Sequence, residues 1–200
     1  MLSIVDYKAG NLKSVHNALS YLDIPHFISD DPDKLRNGDR LIFPGVGHAR
    51  AAMAQLQAQG IADMLVDYAK SGKPMMGLCL GSQVLLDHSA EGDVATLGII
   101  GGQVELFSPS IGLKIPHMGW NQVYPSLTHP LFAGIPSGSS FYFVHSYYTA
   151  PADRANELCS TEYGGQFSSG VCKDNVCAVQ FHPERSGRWG LKMLANFGKM

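Results

Sequence analysis

The first part of the chain alternates short apolar runs with segments whose apolar residues recur at helical spacing. Runs at 2–5, 25–28, 40–43 and 74–78 indicate strands. The spacing after Asn11, which could cap the first helix, and between Gly60 and Gly72 indicates amphipathic helices. Strands that alternate with helices form a parallel sheet, because each crossover needs a covering helix. We therefore predict an α/β fold with a mostly parallel central sheet and helices on both faces.

The second half has a different pattern, with short strand-like runs between Gly, Pro, Asn and Ser. These runs lie at 104–107, 122–124, 140–144, 158–161 and 176–181, and a last amphipathic segment covers about 188–197. Such spacing is typical of antiparallel hairpins. Because no linker, repeat or low-complexity tract separates the halves, we predict one domain over residues 1–200, with a β-rich second half and a final helix.

Charge and cysteine content exclude several classes of function. The net charge is −2 with no block of Lys or Arg, so nucleic acid and anionic membranes are not expected partners. No apolar stretch is long enough to span a bilayer, and the start lacks signal-peptide features, so we expect a cytoplasmic protein. The four cysteines show no C-x-x-C spacing, which gives no sign of a zinc site, and Cys172 and Cys177 flank a turn where they could face each other as thiols.

The segment "GLCLGSQ" (77–83) places Cys79 between two glycines at a predicted strand-to-helix junction. G-x-C-x-G has the form of a nucleophile elbow, in which Gly77 and Gly81 remove side chains that would collide across a tight turn. The start of a helix favours the thiolate form of such a cysteine. This spacing predicts a cysteine nucleophile, whereas taken alone Cys79 could equally be a buried core cysteine.

The segment "VQFHPE" (179–184) supplies a base and a carboxylate two positions apart. We expect extended backbone here, because Pro183 restricts the residue before it, and extended positions i and i+2 point to one side. His182 could then deprotonate Cys79, with Glu184 orienting the imidazole. Each residue alone fits a simpler role, as a strand-end histidine or an exposed carboxylate, but their occurrence together with the elbow favours a triad.

The segment "PGVG" (44–47) directly follows a predicted strand. In sheets of this type, the N–H after the nucleophile and an N–H from a neighbouring strand-to-helix loop form the oxyanion hole. Leu80 and either Val46 or Gly47 are the candidates. The alternative is a plain Pro-Gly turn.

These segments together resemble class I glutamine amidotransferases, whose Cys-His-Glu triad lies in GxCxGxQ and HPE motifs. Within that family the chain is similar to the glutaminase subunits of imidazole glycerol phosphate synthase. The similarity covers nearly the whole chain and is carried by these segments: "DYKAGNLKSV" (6–15), "FPGVGHA" (43–49), "GLCLGSQVLL" (77–86), "PHMGWN" (116–121), "YFVHSYY" (142–148) and "QFHPERSG" (180–187).

The resemblance implies a role for each matching residue. Cys79 is the nucleophile, His182 the base and Glu184 its partner. Five residues are expected near the bound glutamine: Gly47, Gln83, His145, Ser146 and Tyr147, the last three on a loop. Three are expected toward a partner interface: Asn11, Trp120 and Tyr142, for which core packing or loop anchoring of the aromatic rings is the alternative. Two positions depart from the usual pattern, because Ser82 replaces a frequent methionine and Lys8 replaces a small residue.

The implied reaction is hydrolysis of glutamine to glutamate and ammonia, with no metal or organic cofactor. The implied partner is the (β/α)8 cyclase subunit of imidazole glycerol phosphate synthase, which would receive ammonia before it is protonated in bulk water. Two other classes of function stay open from the residues alone. One is a stand-alone cysteine hydrolase of γ-glutamyl or peptide substrates, and the other is a non-catalytic binding module with a redox-sensing cysteine.

Overall fold

A computed structural model describes residues 1–8 and 11–200. Its first half contains four strands and five helices in alternation. The strands are β1 (Leu2–Val5), β2 (His26–Ser29), β3 (Arg40–Gly45) and β4 (Met75–Cys79). The helices are α1 (Leu12–Tyr21), α2 (Pro32–Arg36), α3 (Ala49–Ala58), α4 (Ile61–Lys70) and α5 (Leu80–Gln83). As predicted, Asn11 caps α1, its side chain accepting a hydrogen bond from the backbone N–H of Ser14.

The second half consists of nine strands and one helix, α6 (Gly187–Phe197). The strands are β5 (His88–Ser89), β6 (Val94–Ala95), β7 (Gly102–Leu106), β8 (His117–Pro125), β9 (Ser139–His145), β10 (Tyr147–Pro151), β11 (Glu157–Glu162), β12 (Gln166–Lys173) and β13 (Val176–Val179). Over residues 1–8 and 11–200, no helix is both long enough and apolar enough to cross a bilayer.

The sheet has a parallel part and an antiparallel part. Strands β2, β1, β3, β4 and β13 are parallel neighbours in that order, and β12, β10 and β7 continue the sheet with antiparallel pairing. Strand β11 branches from β12 and leads to the β8–β9 pair. This architecture confirms the predicted α/β fold with a mostly parallel central sheet and a β-rich second half.

Alternate residues of the central strands enter two separate hydrophobic cores. On β3, Ile42 packs on the side covered by α1 and α6, whereas Leu41 and Phe43 pack on the side covered by α3 and α4. The period of two that places successive side chains on opposite faces explains this division. Both faces of the strand are buried, which is why the run is apolar throughout.

Two predictions for the second half need correction. The run at 176–181 forms strand only as far as Val179, and β13 is parallel to β4 as well as antiparallel to β12. Strands β5, β6, β10 and β12 were not predicted. Much of β12 is serine and glycine, and its buried hydroxyls are satisfied by hydrogen bonds, so the usual apolar strand pattern is missing. Cys172 and Cys177 are cross-strand partners, as expected, and both are free thiols.

Candidate active site

Cys79 ends β4 with an unusual backbone conformation. Its φ is 53° and its ψ is −111°, a region that residues with a Cβ rarely adopt. A Cβ on Gly77 would lie 2.7 Å from the carbonyl oxygen of Gly81, which is the collision across the turn that the sequence predicts. Gly81 has a different reason, because its Cβ would lie 2.1 Å from the carbonyl oxygen of Phe43 on β3. Gly77 therefore avoids a collision within the elbow, and Gly81 avoids one with the adjacent strand β3.

The helix after the elbow is very short. Helix α5 is a single turn of 4 residues, so its dipole offers Cys79 little charge stabilisation. A negative charge that develops on Cys79 would therefore depend on other groups of the site.

The two departures from the usual family pattern have clear local structures. The buried Ser82 hydroxyl donates a hydrogen bond of 2.7 Å to the carbonyl oxygen of Cys79, which fixes the elbow in a way that methionine cannot. Lys8 has a φ of 65°, and its ammonium pairs with Asp30 at 3.0 Å on the surface. Ser82 thus acts on the elbow, and Lys8 on the loop before α1.

His182 and Glu184 are brought together, although by a different backbone from the one expected. His182 is extended, as the following proline requires, but Glu184 lies in a 3-10 turn formed by Pro183–Arg185. Nδ1 of His182 and Oε1 of Glu184 are 2.8 Å apart, and both side chains are buried. The carboxylate therefore orients the ring by Nδ1, which leaves Nε2 for chemistry.

This pair holds positive charge on the imidazole. Burial lowers the pKa of His182, but the nearby Cys79 and the hydrogen-bonded Glu184 outweigh it and raise the pKa to about 10. Nε2 of His182 is buried and has no hydrogen-bond partner among the described residues. An imidazolium with a free N–H can donate that proton to a leaving group.

A cavity of about 240 Å³ opens over Cys79 and His182. Glu91 and Val144 contribute to its wall. The wall also includes every residue predicted for the oxyanion hole and for substrate binding: Val46, Gly47, Leu80, Gln83, His145, Ser146 and Tyr147. One expectation is corrected, since His145 ends β9 and Tyr147 begins β10, so only Ser146 lies between strands. His145 and Tyr147 are thereby held in place by the sheet.

The three interface candidates have different environments. Trp120 is 58% exposed, which rules out core packing, and its ring meets the half-buried Tyr142 ring edge-on, with centroids 6.2 Å apart. Asn11 caps α1 and borders a small cavity with His182 and Glu184. Trp120 and Tyr142 thus share an open face, whereas Asn11 lies beside the His-Glu pair.

Three polar residues of the site region were given no role from sequence: Gln180, His117 and Asn121. Gln180 is buried and its Nε2 lies 3.8 Å from Sγ of Cys79. His117 is hydrogen-bonded to the cavity residue His145 and to Asn121. The signal available was a polar residue inside an apolar run, as at Gln180 in "VCAVQF".

Among residues 1–8 and 11–200, no three His, Cys, Asp or Glu side chains are grouped so that they could hold a metal ion. The ionisable groups around the cavity are instead paired with each other or with backbone, as in His182 with Glu184 and Glu91 with the N–H of Ala49. Their arrangement suits proton transfer and nucleophilic attack.

Comparison with known proteins identifies this arrangement. The model of the family described as Glutamine amidotransferase class-I matches residues 3–200. The chain belongs to the class I glutamine amidotransferase family.

Curated relatives show which members of this family the chain is similar to. The chain is 45% identical to imidazole glycerol phosphate synthase subunit HisH of Dehalococcoides mccartyi strain CBDB1, over 100% of this chain and 97% of that protein. It is also 45% identical to the subunit of the same name from Maridesulfovibrio salexigens, over 98% of this chain and 95% of that one.

Solved structures share the fold. A crystal structure of a glutamine amidotransferase matches with a TM-score of 0.77 at 18% identity, covering 99% of both chains. PurLQS from Thermotoga maritima matches with a TM-score of 0.72 at 22% identity, covering 98% of this chain and 96% of that one.

Proposed function

We propose that this chain is the glutaminase subunit of an imidazole glycerol phosphate synthase, an enzyme of histidine biosynthesis. It hydrolyses glutamine to glutamate and ammonia and passes the ammonia to a (β/α)8 cyclase subunit. The observation that carries this proposal is the buried 2.8 Å contact between His182 and Glu184 beside an elbow cysteine in one cavity. Full-length similarity to HisH subunits supports the choice of pathway.

The reaction follows from the groups around the cavity. The Cys79 thiolate attacks the side-chain amide carbon of glutamine, and the N–H groups of Leu80 and of Val46 or Gly47 stabilise the oxyanion. The intermediate collapses as the C–N bond breaks, and Nε2 of His182 gives its proton to the departing ammonia. The neutral imidazole then accepts a proton from water, which attacks the thioester and releases glutamate and the thiolate.

The partner is proposed to dock on an apolar strip next to the cavity. Met118 and Trp120 of β8 are 62% and 58% exposed, and they pair across the strands with Val144 and Tyr142 of β9. Directly paired residues share one face of a sheet, and Val144 also lines the cavity. Exposed apolar patches of this kind mark interaction surfaces. Ammonia leaving Cys79 would therefore emerge beneath the docked partner.

The experiment for catalysis measures glutamate release by Cys79→Ala, with Cys172→Ala as the matched control. We expect no detectable turnover in the first variant and wild-type turnover in the second. Turnover in Cys79→Ala would contradict the proposed role. A kcat/KM for a γ-glutamyl amide or peptide above that for glutamine would favour the stand-alone hydrolase.

The experiment for the partner compares Trp120→Ala with Tyr21→Ala in co-purification with the cyclase subunit. Tyr21 is 76% exposed on α1, which makes it a control for loss of a surface aromatic ring. We expect Trp120→Ala to weaken the complex at least tenfold, because Trp is enriched among interface hot spots, whose truncation costs about 2 kcal/mol or more. Equal binding by both variants would place the interface elsewhere.

A further inference from the structure

Gln180 directly follows β13 and is completely buried. Its side-chain nitrogen Nε2 lies 3.8 Å from Sγ of Cys79, within hydrogen-bond reach of a sulfur atom. No role in the reaction described above uses this group. A buried amide beside the nucleophile therefore needs an explanation.

The direction of the Gln180 amide is dictated by one backbone carbonyl. The carbonyl oxygen of Tyr147 can only accept a hydrogen bond. The Gln83 atom that lies 3.0 Å from it must therefore be the amide nitrogen Nε2. The same amide nitrogen also donates a hydrogen bond to Oε1 of Gln180 at 2.9 Å. Because that oxygen is committed to Gln83, the nitrogen of Gln180 is the atom that faces the sulfur.

The same carbonyl also orders a pair of buried histidines. Nδ1 of His145 donates to the Tyr147 oxygen at 2.7 Å, so Nε2 of His145 must accept from Nδ1 of His117 at 2.9 Å. Nε2 of His117 then accepts from Nδ2 of Asn121 at 3.2 Å. Burial lowers the pKa of His117 to about 4 and that of His145 to about 3, which keeps both rings neutral as this order requires.

These contacts form one polar chain, from Asn121 through His117, His145, the Tyr147 carbonyl and Gln83 to Gln180. Every donor in the chain meets an acceptor, and the chain ends in an N–H directed at sulfur. A donor at that point stabilises a thiolate and gives little to a thiol, which accepts weakly. With only one helical turn after the elbow, such a donor adds charge stabilisation that α5 cannot provide.

We propose that Gln180 is a further catalytic residue, which donates a hydrogen bond to the Cys79 thiolate, and that the polar chain behind it consists of positioning residues. This inference rests on the proposed nucleophilic role of Cys79. It adds a neutral donor to the charged His182, and so makes the thiolate available without a second positive charge in the cavity.

The test is the pH dependence of Cys79 alkylation by iodoacetamide, in which the thiolate displaces iodide. Alkylation at Cys79 is followed by peptide mass spectrometry. In Gln180→Leu we expect the midpoint of the rate profile to move up by about one pH unit, a tenfold loss of thiolate below the midpoint. The exposed Gln103 provides the matched control, and Gln103→Leu should keep the wild-type midpoint.

A second variant separates donation from packing. Gln180→Glu keeps the size and shape of the side chain and the oxygen that accepts from Gln83, but it places an acceptor toward sulfur. We expect its midpoint to rise more than that of Gln180→Leu. Thr149→Val, which removes a buried hydroxyl hydrogen bond elsewhere in the sheet, controls for the general cost of losing a polar contact.

An unchanged midpoint in folded Gln180→Leu would overturn the proposal, and so would an unchanged midpoint in Gln180→Glu should the leucine variant fail to fold. The readout is independent of glutamine turnover. A wild-type Cys79 that reacts normally while no glutamine is hydrolysed would instead contradict the proposed function.

Discussion

Two buried pairs of side chains beside the same cavity contain histidine, and the pKa of the histidine is shifted in opposite directions in the two pairs. In one pair, Nδ1 of His182 meets a carboxylate oxygen of Glu184 at 2.8 Å, and the pKa of His182 is raised to about 10. In the other, Nδ1 of His117 meets Nε2 of His145 at 2.9 Å, and the two pKa values are lowered to about 4 and 3. Burial disfavours the charged ring in both cases.

The partner of each imidazole ring decides whether that ring is charged. A carboxylate and a thiolate repay the desolvation of the imidazolium, whereas a second imidazole offers only a hydrogen bond between neutral rings. The first pair therefore keeps its imidazole protonated at neutral pH and can give that proton to a leaving group. The second cannot, and its fixed tautomers suit it to holding the strand ends that line the cavity.

Removing the carboxylate should have the largest effect. Glu184→Gln keeps the size of the side chain but takes away the charge that stabilises the imidazolium. We expect kcat for glutamine hydrolysis to fall by about 10³-fold or more, as in other triads that lose their acid. Glu162→Gln, at an exposed position, is the control. A loss of less than tenfold in Glu184→Gln would mean that the two pairs differ less than their geometry indicates.

Breaking the neutral pair should have a smaller effect, mainly on binding. His117→Phe retains the stacking against Tyr163 and Phe143 but removes the donor to His145. We expect KM for glutamine to rise about fivefold, because one buried hydrogen bond is worth roughly 1 kcal/mol, while kcat changes less. Steady-state kinetics, with the exposed His16→Phe as control, measure both. A fall in kcat with KM unchanged would give His117 a role in proton transfer.

The two pairs should also make the free energy of unfolding depend on pH in different ways. Each titrating group can change that free energy by at most about 1.4 kcal/mol per pH unit. The folded pKa of His182 is raised, so its contribution is complete below pH 6.5 and is lost as pH rises toward 10. The pKa values of His117 and His145 are lowered, so their contribution is complete above pH 6.5 and is lost as pH falls toward 4 and 3.

Urea unfolding across this range measures both limbs. We expect Glu184→Gln to flatten the alkaline limb and His117→Phe to flatten the acidic limb. If each variant altered the other limb instead, the assignment of charges to the two pairs would be wrong.

The sequence predicts well those features that depend on neighbours along the chain. Apolar runs and helical spacing locate β1 to β4 and α4, and Asn11 is correctly expected to cap α1. Gly77 follows from sterics within five residues, whereas the need for Gly81 comes from Phe43 on the adjacent strand. The proximity of His182 and Glu184 is also local, although the backbone reason given for it was wrong.

Features that depend on strand pairing could not be predicted. The chain of hydrogen bonds from Asn121 to Gln180 requires the register of β8 against β9 and the placing of Gln83 beside β10. Nothing near His117 in sequence announces that its ring meets His145, which is 28 positions away.

The backbone of Cys79 has a consequence for how the fold tolerates substitution there. At φ 53° and ψ −111°, a side chain strains the main chain by about 1–3 kcal/mol, and glycine would relieve it. A glycine at this position should therefore give a more stable protein than an alanine, the reverse of the order found in most strands and helices. The proposed nucleophile thus lies at a position where glycine would make the folded protein more stable, so the side chain that we propose for catalysis lowers the stability of the fold.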